Sequence, residues 1–181
     1  MNTVKIPDAV LFPDVPADLR EWVDERSLVS ISLDAVQSIV GSGQDSATRG
    51  MHLPPGMPRA LCTLLTYCYA IGIYRSEEIK TRIASDPLTG YLCAGAYPYP
   101  HELRRFRRQH RVLIQAALSK VLRLAWEFRR WKFAMGVAPD DDLSFRSPRT
   151  GSDVALDANF TRAAEERVQQ AVLADRMALD D

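Results

Sequence analysis

The amino-acid sequence predicts an all-α protein: a compact helical domain with a helix-turn-helix-like arrangement and flexible ends. Apolar residues recur three and four positions apart in nearly every segment, which is the spacing of amphipathic helices. No segment shows the sustained alternation of a half-buried strand. The 181 residues are enough for one domain of ordinary size with a substantial core.

Composition divides the chain into three predicted parts. Residues 1–48 should form an N-terminal helical extension and linker, residues 49–135 a compact helical domain, and residues 136–181 a linker with an acidic C-terminal helix. Two runs rich in small, polar or proline residues, 41–50 and 136–151, indicate the connectors.

Two short helices are expected in the N-terminal part, after a proline-interrupted start. The first runs from Pro16 to Leu28. The second begins at Ser32, a residue type that caps helix N-termini, and ends at Val40. The apolar residues predicted to face the core are Leu19, Trp22 and Val23 in the first helix and Leu33, Val36, Ile39 and Val40 in the second.

The middle part is expected to begin after Pro58 with a buried helix that ends near Gly72. Ser76, followed by two glutamates, indicates the start of the next helix, and Asp86-Pro87 indicates a short helix after it. The predicted core residues of these helices are Leu61, Leu64, Leu65, Cys68, Ile71, Ile79 and Ile83.

The segment Pro100–Arg111, PHELRRFRRQHR, places five arginines within eight residues. Proline suits the first turn of a helix, where its missing N–H costs nothing. On a helical projection the apolar side is formed by Leu103, Phe106 and His110, and the opposite side by Arg104, Arg107, Arg108 and Arg111, with Arg105 between the faces. Four guanidinium groups on one face repel each other unless an anion is near, and phosphate matches their planar geometry. The alternative is a solvated helix whose arginines pair with local carboxylates.

Positive charge is concentrated in the middle of the chain, although the net charge is zero. Residues 101–133 carry 10 basic and 2 acidic groups, whereas residues 134–181 carry 5 and 10. A long helix from Val112 to about Met135 should extend the basic surface. The candidate DNA-binding residues are Arg104, Arg105, Arg107, Arg108, Arg111, Arg129, Arg130 and Lys132.

Several motifs follow one another in a distinctive order: RGMHLPP, LLTYCYAIGIYRSEEIK, Asp86-Pro87, a proline-rich loop, RRFRRQHR and LIQAALSKVL. In this order, over about residues 49–130, the chain resembles the N-terminal DNA-binding domain of bacterial insertion-sequence transposases of the DDE type. The Phe-Arg-x-x-His signature of that family is matched by Phe106, Arg107 and His110. The resemblance implies a helical domain that binds the terminal inverted repeats of a mobile element and helps to pair protomers.

The resemblance does not extend to the catalytic RNase H-like domain of that family, which holds two metal ions on three carboxylates. The residues after the second connector are too few for that sheet. The run VALDAN, residues 154–159, is faintly similar to its first catalytic strand and would place Asp157 there, without partner carboxylates. We therefore expect no enzymatic activity and no cofactor.

Other side chains indicate no catalytic or metal site. The cysteines Cys62, Cys68 and Cys93 form no C-x-x-C pair and suit the core of a protein in a reducing compartment. The acidic run 140–142 is interpreted as solvated, and the histidines have no metal-binding spacing. No secretory signal or membrane span is evident, so a cytoplasmic protein without membrane contact is expected.

The sequence thus predicts a non-catalytic protein that binds double-stranded DNA as a stand-alone binder, an accessory subunit or a regulator. One alternative is a protein-interaction module, with the basic face on an acidic partner and a homodimer formed by the aromatic end of the long helix. Another is an enzyme remnant that needs a catalytic partner in trans. We further expect that the acidic C-terminal helix folds over the arginine helix and limits its access to DNA.

Overall fold

The computed structural model describes residues 14–40, 57–135 and 152–177, and these residues form seven α-helices, one short 3-10 turn and no strand. The all-α fold class is therefore confirmed. Both predicted connectors and the RGMHLPP motif lie outside the described residues. The helices are α1 (Glu25–Val40), α2 (Met57–Ala70), α3 (Ser76–Ser85), α4 (Pro87–Leu92), α5 (Pro100–Gln109), α6 (Arg111–Met135) and α7 (Ser152–Met177).

Helix α2 is the centre of the fold. Every residue from Leu61 to Ile71 is buried, so this helix must be covered on all sides. It contacts α1, α4, α6 and α7. The helix ends as predicted before Gly72, whose φ of +79° suits glycine. A Cβ atom at Gly72 would lie 3.1 Å from the backbone oxygen of Ala17, so the N-terminal segment packs closely there.

One hydrophobic core joins all three predicted parts of the chain. Helix α6 packs against α1, α2 and α7. Leu28 of α1, Phe160 of α7 and Val168 of α7 belong to the same buried cluster as the residues of α2 and α6. The N-terminal extension and the acidic C-terminal helix therefore help to build the core around the middle part.

The N-terminal helices differ from the prediction. The expected helix over Pro16–Leu28 is a 3-10 turn at Leu19–Glu21, and α1 begins at Glu25. The carboxylate of Asp24 accepts a hydrogen bond from the backbone N–H of Ser27 at 3.0 Å, so this residue caps the helix. Ser32 lies inside α1, where its hydroxyl donates to the Leu28 carbonyl at 2.8 Å.

Helices α3, α4 and α5 form a group beside α2 that is joined through α3. Helix α3 contacts both α4 and α5, and α2 contacts α4. The predicted start of α4 is confirmed, because the Asp86 carboxylate accepts from the backbone N–H of Leu88 at 3.1 Å and Pro87 occupies the first turn. This group places α5 at the edge of the core with one side exposed.

Helix α7 corrects the interpretation of VALDAN. The run lies in the first turns of a helix that begins at Ser152, and not in a strand. Asp157 forms an ion pair with Arg123 of α6. The position that would carry a catalytic carboxylate is thus a helical residue held in a structural contact.

His110 separates α5 from α6 and is 5% exposed, with its ring centroid 4.5 Å from that of Phe106. Burial lowers the pKa of His110 from its ordinary value of 6.5. The unfolded chain therefore binds this proton more readily, and we expect stability to fall as the pH drops through 6.5 towards the folded-state pKa. Urea unfolding across that range should show a flatter pH dependence for His110→Gln than for the wild type.

The matched control for this experiment is His101→Gln, which replaces an exposed histidine. It should retain the pH dependence of the wild-type protein. An unchanged slope in His110→Gln would contradict the prediction.

Candidate nucleic-acid interface

The candidate interface is built on α5, whose apolar side was predicted correctly. Leu103 and Phe106 are buried against the core. Pro100 is the first helical residue, and the carboxylate of Glu102 accepts from the backbone N–H of Tyr99 at 2.7 Å. The helix therefore has a firm start and a defined exposed side.

Arg107 does not lie on the exposed side, and its assignment as a DNA-binding residue is corrected. Its side chain is 4% exposed and pairs with Asp175 of α7. Its Nη1 also donates to the hydroxyl of Tyr69 at 3.0 Å. Arg107 lies only about 40° from Leu103 around the helix, at the border of the packing face. A carboxylate 68 residues away in sequence draws it inward.

Asp175 is the centre of a buried polar network that links four helices. Besides Arg107, it accepts from the backbone N–H of Ser76 at 2.8 Å and from the Ser76 hydroxyl at 2.7 Å. The Asp175 carboxylate, which belongs to α7, thus supplies a hydrogen-bond acceptor for a backbone N–H at the N-terminus of α3. Burial raises the pKa of Tyr69 to about 12, so its phenol remains neutral beside the guanidinium. The network fixes the position of α5 against α2, α3 and α7.

The remaining arginines of this region have different surroundings. Arg105, Arg108 and Arg111 are exposed, and Arg111 donates to the Gln169 side chain at 3.3 Å. Arg104 is partly covered and pairs with Glu77 of α3 at 2.7 Å. Neither Arg105 nor Arg108 forms an ion pair with any residue that the structure describes. The exposed charge of α5 thus comes mainly from two residues.

A second basic group lies at the far end of α6. Arg130 and Lys132 are exposed there, whereas the guanidinium of Arg129 lies 5.3 Å from the ring centroid of Trp22 and 5.8 Å from that of Trp126. The helical rise puts Arg130 about 28 Å along the axis from Arg111. The predicted candidates therefore form two separate basic groups.

The aromatic end of α6 is covered in part by the N-terminal segment. The rings of Trp22 and Trp126 lie 5.4 Å apart, and both Trp126 and Phe128 pack against the core cluster. The chain itself therefore covers part of the aromatic surface on which the homodimer alternative is based.

Two of the cysteines, Cys62 and Cys68, are buried in helix α2. Burial raises the pKa of both Cys62 and Cys68 to about 12, so these thiols are protonated and weak nucleophiles. In the described ranges no three histidine, cysteine or acidic side chains are placed to bind a metal ion. The aspartate run 140–142 and His52 lie outside those ranges. None of the described helices is long and apolar enough to cross a membrane.

Comparison of the chain with models of protein families, with curated proteins and with solved structures finds no match. The likeness to a transposase N-terminal domain therefore stays a prediction from the sequence motifs. The residues of its Phe-Arg-x-x-His signature are all buried, with Phe106 at 1%, Arg107 at 3% and His110 at 5% exposure. In this chain the three residues are buried in α5 and at its junction with α6.

Proposed function

We propose that the protein is a non-catalytic DNA-binding module of the cytoplasm, related to the inverted-repeat-binding domain of insertion-sequence transposases. It would act as a stand-alone binder, an accessory subunit or a regulator. The observation that carries this proposal is the pair of exposed arginines on α5, Arg105 and Arg108, which have no carboxylate partner among the described residues. Duplex DNA supplies the missing negative charge.

The shape of α5 supports a duplex as the partner. Ten residues make a helix about 15 Å long. A helix of this kind enters a major groove that is about 12 Å wide. Helix α3, which also contacts α4, packs against α5 and supports it from behind, in the manner of a helix-turn-helix unit. In this arrangement Arg105 and Arg108 contact phosphates, or a guanine edge if one is in reach.

The second basic group strengthens the proposal if the duplex lies along α6. Along the helix axis, Arg130 and Lys132 are about 28 Å and about 32 Å from Arg111, which is slightly less than one turn of B-form DNA at about 34 Å. Contacts with the sugar-phosphate backbone at that spacing add affinity without sequence preference.

The double variant Arg105→Glu with Arg108→Glu is expected to bind a labelled blunt duplex at least about tenfold more weakly at about 50 mM salt. The slope of log affinity against log salt should become shallower by about 2, because two phosphate contacts are lost. Fluorescence anisotropy over a salt series measures both quantities.

The matched control is Arg162→Glu with Arg176→Glu, which changes the net charge equally at two exposed positions of α7. It should bind the duplex nearly as the wild type does. If the wild type binds no duplex at low salt, or if both double variants lose affinity equally, the α5 surface is not a DNA-binding site. Salt-dependent binding to an acidic protein instead would favour the interaction-module alternative.

A further inference from the structure

An aromatic pair lies at the N-terminal end of the same α5 surface. The rings of Tyr99 and His101 are stacked, with centroids 5.8 Å apart and planes 15° from parallel. Tyr99 is 58% exposed and His101 is also exposed, while Tyr97 just before them is 71% exposed. Because these rings lie outside the hydrophobic core, the packing of the fold does not account for them.

The position of Tyr99 is defined by its surroundings. Its backbone carbonyl accepts from the N–H of Glu102 at 3.0 Å and from that of Leu103 at 3.1 Å. The ammonium group of Lys80, on α3, lies 5.2 Å from the centre of the Tyr99 ring. An aromatic surface held in place beside a cation needs little reordering when a ligand binds.

The aromatic pair is continuous with the exposed arginines. His101, Arg105 and Arg108 are four and three residues apart, so they lie on one side of the helix. The helical rise places Arg105 about 6 Å and Arg108 about 10.5 Å along the axis from His101. One strip of the surface therefore offers stacked rings at one end and two guanidinium groups beyond them. We call Tyr99, His101, Arg105 and Arg108 the α5 strip.

The chemistry of the α5 strip matches an unpaired nucleotide. A single strand presents an aromatic base face together with phosphates, and proteins that bind it combine aromatic platforms with basic residues. Paired bases inside a duplex are stacked on their neighbours and offer no free face, so the interior of a duplex can use only the arginines. An unpaired base gains the stacking contact as well.

We propose that the α5 strip binds an unpaired base on the Tyr99–His101 pair and the adjoining phosphates on Arg105 and Arg108. The preferred ligand is then a duplex with a short single-stranded end. This inference rests on the proposed DNA-binding function and adds the class of DNA structure that the site prefers.

The test compares three forms of one labelled duplex: blunt, with a short overhang, and with an overhang of abasic residues. The abasic overhang retains the phosphates and lacks the bases, so it separates stacking from charge. Overhangs of both polarities are measured. The wild type should bind the base-containing overhang at least about fivefold more tightly than the abasic one, in line with the contribution of a single stacked base.

The variant Tyr99→Leu with His101→Leu should lose this preference and bind the blunt duplex as the wild type does. Tyr91→Leu replaces a 68% exposed tyrosine on α4 and should retain the preference. Equal wild-type affinity for the two overhangs, or a preference that persists in the double variant, overturns the inference. Blunt-duplex binding without overhang preference leaves the proposed function standing, whereas an absence of all DNA binding overturns both.

Discussion

Replacing Asp175 by alanine is expected to lower the free energy of unfolding by about 3–5 kcal/mol. The variant leaves the guanidinium of Arg107 buried without a counter-ion, and it also removes the acceptor for the backbone N–H of Ser76. An uncompensated buried charge is among the costliest single defects in a folded protein. For a chain of this size the melting temperature should fall by roughly 6–20 °C, which thermal unfolding followed by circular dichroism measures.

Two further variants distinguish the loss of the Asp175 network from a general destabilisation of α7. Glu165→Ala removes an exposed carboxylate from the same helix and should change stability by no more than about 0.5 kcal/mol. Replacing both partners, in Arg107→Met with Asp175→Leu, should cost less than the sum of the single changes, because neither charge is then left alone. Additive losses would show that the two residues are not coupled.

Deleting α7 is expected to abolish cooperative folding. Phe160 and Val168 are 1% and 0% exposed, and burying side chains of this kind contributes about 2–3 kcal/mol each. The deletion also breaks the Asp175 network, at a further cost of about 3–5 kcal/mol. The total approaches the whole stability of a typical domain, about 5–15 kcal/mol. Circular dichroism measures the outcome: the deletion variant should show no near-ultraviolet signal and no sigmoidal thermal unfolding curve.

This expectation replaces the idea that α7 is a detachable acidic cover whose removal would tighten DNA binding. Among the described residues, two polar side-chain interactions join α7 to the arginine region: the ion pair of Asp175 with Arg107, and the hydrogen bond of Gln169 with Arg111. Arg105 and Arg108 have no ion-pair partner on that helix. A truncated protein that still melts cooperatively would contradict our account, and Gln169→Ala is the better probe of DNA access because it leaves the core intact.

The burial of Phe106, Arg107 and His110 changes what the transposase resemblance predicts. These residues carry the family-like signature, and in this structure they pack α5 against α6 and α7. The resemblance therefore predicts a shared helical framework more directly than a shared set of DNA contacts. Under the proposed function, the DNA contacts come from residues beside the signature.

Local signals in the sequence were sufficient for most helices. Apolar spacing located α2, α5 and α6, and the Asp86-Pro87 pair located the start of α4. The start of α1 was harder to predict, because Asp24 and Ser32 are both suitable N-terminal caps. In the structure the helix begins before Leu28, Val29 and Ile31, and all three are buried.

The candidate site was predictable only in part. The aromatic neighbours and the partners of the arginines come from separate helices, such as Lys80 beside Tyr99 and Glu77 beside Arg104. The sequence does contain one signal that Asp175 is buried. Asp175 continues the spacing of the buried residues of α7, which are Phe160, Ala164, Val168 and Ala171. A lone carboxylate on an apolar helix face indicates a buried partner.

By itself the sequence determined that the protein is all-α and that α5 has an apolar and a basic side. It could do so because helical periodicity depends on residues three and four positions apart. Only the tertiary structure decided which arginines face solvent. Arg107 and Arg108 are neighbours of the same type, yet one is buried and the other exposed. The difference is made by Asp175, which folding brings to Arg107 from 68 residues away, and no pattern within α5 encodes that approach.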